Sequence, residues 1–577
     1  MSEIGTSFYS DSAAWIELYN GTSQPIDLSE YSLRSFSSER IDPYRDDFTP
    51  KLYPLPKLTV QPGEYVMVAG RPTEATADSV TQGAKVIYVE DGNWIPNWYA
   101  SGFVELVKGS STADFVRFGD NDVEPLTPGA WTGSNVRALL TGENQMGKSL
   151  ARDLKLTDTG TASDWTHMRW ATPFGPNNIA PLAGDLDLDG LPDQAEAEGQ
   201  KYGSFDLYAL GARAGQRDLF IEIDYMPTED QATTPQEAAL DKVVEAFARR
   251  NIKIHFDIGD LYGDKYNLGG GNPLPYSECI DLFTSAEARE QGCVDVYAIK
   301  AQNHDPRRRQ IFHYNVFGSS RVPGGERGSS GVGEINGNDF AVTVGNWSLD
   351  SETIARRNML VNIQSSTLMH ELGHNLGLRH GGFEDGPNYK PNYISTMNYA
   401  YQVGGVPLEP KRADAFEHWL WYSAAAPVRE RYGLYTRCDI DNGPCSSNYL
   451  IDYSDGSSTP IDENHVNEHL GVGRGPVDMD WSLDGTIQSD VKADLTQDMD
   501  YSTGQAVPAP RYTVLRDFDD WSNLNLNFTR YWGGTNPGLS AQTVATQQIN
   551  QYRFQQEVSH EHPLSEAEYE FLREAGY

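Results

Sequence analysis

Cysteine, basic residues and long apolar runs are all scarce in this 577-residue chain. Lys and Arg total 45 against 82 Asp and Glu, a formal net charge of -37, which argues against nucleic-acid phosphates and anionic membrane surfaces as partners. No apolar run reaches the roughly 18 residues a membrane-spanning helix needs. The four cysteines fall into two local pairs, Cys279 with Cys293 and Cys438 with Cys445, neither at C-x-x-C metal spacing. That partition predicts two short-loop disulfides in an oxidising compartment; four free thiols are the alternative. Met1-Ser2-Glu3-Ile4 shows no basic and apolar leader, so a leader and a propeptide are expected to lie outside this sequence.

The apolar content of 38% is that of a globular protein, and the length calls for two or three domains. Residues 1–178 alternate short apolar runs with turn signals, as in Ala14 to Tyr19 before Asn20-Gly21 and Glu64 to Ala69 after Pro62-Gly63. Trp15 to Asn20, Leu58 to Gly70, Ser149 to Arg152, Ala162 to Trp165 and Thr172 to Asn178 together resemble a lamin-tail domain. The resemblance implies an all-β immunoglobulin-like sandwich that serves either as scaffold or as a module for a cell-surface or matrix ligand.

Residues 179–204 contain Asp185, Asp187, Asp189, Gly190, Leu191, Asp193 and Glu196 in the spacing D-x-D-x-D-G-x-x-D-x-x-E, that of a calcium loop. Hard oxygens at positions 1, 3 and 5 surround the ion, Leu191 offers its carbonyl, and Glu196 can bind through both oxygens. From 205 to 577 the pattern becomes mixed α/β. Strands are expected at 218–225, 252–257, 309–317 and 340–344, with an amphipathic helix at 235–250. The acids between 438 and 520, among them Asp452, Glu463, Glu468, Asp480 and Asp484, offer further calcium sites or a solvated face. His465 to His469 fits H-x-x-E-H, but its flanks lack the apolar periodicity of a buried helix. His167, His255, His304, His313, His418, His560 and His562 have no ligand spacing.

The densest chemistry lies at His370 to His380, which reads H-E-x-x-H-x-x-G-x-x-H. On a helix His370 and His374 lie one turn apart on one face, and Gly377 can turn the chain to bring in His380. Three imidazoles leave the fourth zinc position open, as catalysis requires. With Ser395-Thr396-Met397-Asn398-Tyr399 downstream, the run resembles the metzincin zinc endopeptidases. That resemblance implies one zinc on His370, His374 and His380, Glu371 as general base, Met397 beneath the site and Tyr399 at the reacting oxyanion. It also implies that a strand near 339–345 forms the edge that pairs with an extended substrate. Gly381 follows the third histidine where Glu, Ser, Pro or Asp stands in the best-known subfamilies, which leaves the subfamily open.

The sequence thus predicts a multidomain protein with an N-terminal β-sandwich, a calcium-binding linker and an α/β (α+β) metzincin-like domain with an acidic C-terminal part. The expected activity is secreted, zinc-dependent cleavage of proteins or peptides. Two other readings stand beside it: a protease restricted to glycosylated or cell-envelope proteins, and an adhesion protein whose protease unit serves maturation.

Overall fold

A computed structural model of the chain describes residues 1–526 apart from 7–12, 41–47, 71–78, 82–83, 90–100, 140–146, 283, 383–386, 408–413, 425, 473–475, 497–498, 501–504 and 507–512. The described residues divide into two compact units, one built from 1–220 and 297–313, the other from 221–296 and 314–525.

The first unit grows from strands whose side chains alternate between faces. Ala13–Tyr19 pairs antiparallel with Glu3–Thr6 and with Tyr65–Gly70 in a seven-stranded sheet. A four-stranded sheet holds Tyr31–Arg40, Phe48–Pro54, Gly102–Lys108 and Ser111–Phe118. Ile4, Ile16, Leu18, Val66 and Val68 of the first sheet share one core with Leu33, Phe103, Val104, Phe115 and Val116 of the second. The intervening residues Trp15, Met67 and Ala69 turn to the other face, where they pack with Ala171 and Phe174. The larger sheet is therefore covered on both sides.

The second unit holds most of a five-stranded sheet, β1 (Arg217–Tyr225), β2 (Ile252–Asp257), β3 (Phe312–Phe317), β4 (Gly331–Gly333) and β5 (Asp339–Val342), of which residues 217–220 and 312–313 are counted with the first unit. Their order is β2-β1-β3-β5-β4, with β5 parallel to β3 and antiparallel to β4. Helix α1 (Glu237–Ala248), with Leu240, Val243 and Phe247 buried, packs on β2 and on α2 (Ile354–Asn375), and α2 packs on β4 and β5. The apolar periods located β1, β2, β3, β5 and α1 correctly to within a few residues. One expectation changes. The strand at 339–342 is interior, and the sheet edge is β4, whose Gly-Val-Gly sequence carries little strand propensity.

Cys279 is bonded to Cys293 across two short parallel strands, and Cys438 to Cys445. The second bond closes a loop whose carbonyls at Pro444, Cys445 and Ser446 accept from the Asn362 and Asn358 amides of α2. No helix among the described residues is long and apolar enough to cross a membrane.

His418 is fully enclosed in this unit. Asn442 donates through Nδ2 to the Val406 carbonyl at 2.9 Å, so its Oδ1 faces His418 Nε2 at 3.0 Å and selects the neutral, Nε2-protonated ring. Burial is the main reason that His418 titrates at about 4 instead of 6.5. The folded state resists a proton that the unfolded chain accepts, so this contribution is full above pH 6.5 and is lost as the pH falls towards 4. The expected loss is about 3 kcal/mol. Urea midpoints of wild type and His418→Gln, followed from pH 7 to 4, should differ in slope accordingly; parallel curves would refute the assignment.

Candidate functional site

Helix α2 starts at Thr353, whose Oγ1 caps the Arg356 N–H at 3.1 Å, and from Met359 onward it is almost wholly buried. Its last turn carries His370, Glu371 and His374. The helix ends as a Schellman motif: Gly377 N–H donates to the His374 carbonyl and Leu378 N–H to the Gly373 carbonyl, at 2.9 and 2.8 Å. Gly377 sits at φ +97°, and a Cβ there would stand 2.6 Å from Asn336 Oδ1. The turn brings His380 back beside the helix. His370, His374 and His380 consequently place their Nε2 atoms 3.1, 3.1 and 3.2 Å apart.

Two of these rings have fixed tautomers. His370 Nδ1 lies 2.7 Å from the Thr396 carbonyl and His374 Nδ1 lies 2.9 Å from the Leu378 carbonyl. A carbonyl only accepts, so each Nδ1 carries the hydrogen and each neutral ring turns a bare Nε2 lone pair towards the centre. Lone pairs converging at this separation repel one another unless a cation or a proton sits among them. The three histidines form one of the clusters in the described residues that could hold a metal ion.

Met397 is buried with its sulfur against Gly373, in the turn of the helix between His370 and His374. The Tyr453 hydroxyl approaches the same glycine and donates to the Met369 carbonyl at 2.5 Å. Thr396, one residue before Met397, is pinned through N–H and Oγ1 to the Asp452 carbonyl at 2.8 and 2.9 Å, which holds the carbonyl that orients His370. Ser395 donates to Asp520 at 2.6 Å, and burial raises that carboxyl to about 7. Lys390, buried, donates to the carbonyls of Gly381 and Arg516, both at 2.7 Å, so the residue after His380 is anchored too. Tyr399 places its ring centroid 4.3 Å from that of His380 and 5.9 Å from that of His370. Glu371 is buried beside edge strand β4, where a Cβ on Gly331 would meet its Oε1 at 2.5 Å and one on Gly333 its Oε2 at 3.2 Å. The two glycines let a sheet edge pass directly over this carboxylate.

All of the residues singled out at 370–399 therefore come together. The orienting carbonyls of Thr396 and Leu378 and the anchor Lys390 were not foreseen, because backbone groups and a lone lysine leave no pattern. The H-x-x-E-H run separates: exposed His465 pairs with Asp490 and exposed His469 with Asp478, while buried Glu468 accepts from the N–H groups of Ser482 and Gln488. His167, His255, His304, His313 and His418 join no metal-binding cluster among the described residues, and His560 and His562 lie outside them.

A second cluster gathers the acids of 185–196. One carboxylate oxygen each of Asp185, Asp187 and Asp189 lie within 4.8 Å of one another; so do those of Asp187, Asp193 and Glu196, and of Asp189, Glu196 and Asp218. The loop folds on its own carboxylates: Leu188 and Gly190 donate to Asp185, Asp189 to Asp187, and buried Leu191 to Asp189. Burial, reinforced by the neighbouring carboxylates, raises Asp189 to about 8 and Glu196 to about 9. Asp218 is the one member that the loop spacing could not reveal. By contrast, the acids of 438–520 form no such cluster among the described residues. They serve as acceptors for backbone N–H groups, Glu463 for Leu495 and Thr513, and Asp480 for Asp484 and Gly485. Among the described residues the further calcium sites weighed against a solvated face have no gathered ligands.

No family model matches the chain, and a search of curated proteins finds no match.

A methyl group on Gly373 would press on Met397 and on the Tyr453 hydroxyl. Gly373→Ala is expected to lower unfolding stability by about 1–3 kcal/mol, as overpacking does. A urea midpoint equal to wild type would mean that the methionine turn is not packed as described.

Proposed function

We propose that the protein is a secreted zinc-dependent endopeptidase of metzincin type, carrying an immunoglobulin-like lamin-tail module at its N-terminus. The observation that carries the reading is the convergence of three histidine Nε2 atoms, two with Nδ1 held by carbonyls, beside a buried carboxylate. The donor set fits zinc. His370, His374 and His380 would hold the ion through their Nε2 atoms, and three protein ligands are the number a catalytic zinc takes. Paired disulfides support an extracellular setting.

When bound, zinc supplies a Lewis acid that polarises a carbonyl and brings the pKa of coordinated water near about 7. Glu371 takes the proton from the attacking water and returns it to the leaving amine. Enclosure of its carboxylate under β4 keeps bulk water from competing for that proton. Edge strand β4, antiparallel to β5 and lying over Glu371, offers main-chain pairing for an extended peptide, so the scissile bond is delivered beside the base. Tyr399, packed on His380, offers its hydroxyl to the developing oxyanion.

Glu371→Gln is expected to retain one zinc by metal analysis while casein hydrolysis falls about 10²–10⁴-fold, the usual contribution of a general base. Retained zinc together with wild-type turnover would overturn the reading. A zinc chelator should abolish wild-type activity, and added zinc should restore it where added calcium does not. Tyr399→Phe should lower kcat about 10-fold or more with KM little changed.

A further inference from the structure

The acidic loop is not self-contained. Glu196 is 1% exposed, and neither of its carboxylate oxygens receives a hydrogen bond from the described residues. Leaving an ionised carboxylate buried in that state costs several kcal/mol. Its oxygens nevertheless reach two of the carboxylate groupings, one with Asp187 and Asp193 and one with Asp189 and Asp218. An enclosed carboxylate aimed at other carboxylates is relieved by a proton or by a shared cation, and the convergence of two further carboxylates in each grouping suits the cation. All side-chain donors are hard oxygens, which favour calcium over a transition metal.

Asp218 lies outside the loop, in the first residues of β1, and is 2% exposed. Its N–H donates to Asp189 Oδ2 at 2.8 Å. Its own Oδ1 accepts from Gln216 Nε2 at 2.6 Å and its Oδ2 from the Arg213 N–H at 2.9 Å. These bonds orient the group, and one of its oxygens lies within 4.8 Å of ligand oxygens of Asp189 and Glu196.

We propose that one calcium ion held by the 185–196 loop takes Asp218 as a ligand from outside the loop, so that the ion clasps the loop to the start of strand β1. The twelve-residue spacing alone would make the loop an independent binding element. With Asp218 included, calcium occupancy ties the loop to the segment around Asp218. The clasp does not depend on the zinc reading, since it involves none of the residues at 370–399.

The test uses the full-length protein stripped with a calcium chelator and titrated with calcium chloride, read by calorimetry and by thermal melting. Wild type is expected to bind calcium and to melt at a higher temperature when loaded. Asp218→Asn is expected to bind about 10-fold or more weakly, which at fixed excess calcium removes about 1.4 kcal/mol of calcium-linked stability. Exposed Glu198→Gln should match wild type. If Asp218→Asn fails to fold without calcium, Glu196→Gln takes its place, because Glu196 accepts no hydrogen bond whose loss could be mistaken for loss of a ligand. Wild-type affinity in a folded Asp218→Asn would overturn the clasp, as would wild-type affinity in Glu196→Gln. A wild type that neither binds nor responds to millimolar calcium would overturn the site as a whole.

Discussion

Helix α2 is buried, yet it carries polar residues along most of its length, and each of these must find a partner away from water. Asn362 donates to the carbonyls of Pro444 and Ser446, and Gln364 to those of Ala232 and Thr234. His370 and His374 use Thr396 and Leu378, and Asn375 uses Glu334 and Asp339. These acceptors come from the sheet connection, the disulfide loop, the methionine turn and the helix end. The surrounding chain is therefore shaped by one requirement, which is to bring carbonyls to a buried polar helix. The same bonds that satisfy the helix also fix the imidazole tautomers and aim three nitrogens at one point.

The large acidic excess is spent in two different ways. Most acids of the C-terminal part accept from backbone N–H groups in turns, where a carboxylate replaces a missing main-chain partner. In the loop at 185–196 several carboxylates also fold the backbone locally, but Glu196 does not, and it is among the most enclosed. Local hydrogen bonds thus account for the one region, and a shared cation is the proposed account of the other.

Much of the core was legible because burial imposes a period. The strands at 13–19 and 65–70 alternate as a sheet facing two cores must, and α1 shows its apolar stripe at helical spacing. Strand β4 was not legible: two of its three residues are glycine, chosen for closeness to Glu371 and not for strand preference. The edge that the resemblance implied near 339–345 fell on its neighbour β5, which lies inside the sheet.

By itself the sequence determined the chemistry that depends on local spacing: His370, Glu371 and His374 on one helix, the left-handed turn at Gly377, the carboxylates of 185–196 and the two cysteine pairs. Those follow from helix pitch, from the freedom of glycine and from short loop closure, all of which act over a few residues. Only the tertiary structure decided which carbonyls hold the imidazoles, that Lys390 anchors the chain after His380, that β4 covers Glu371, and that Asp218 joins the loop's carboxylates. Each of these joins groups far apart in the chain, and such pairings are set by how the layers pack, which no local period encodes.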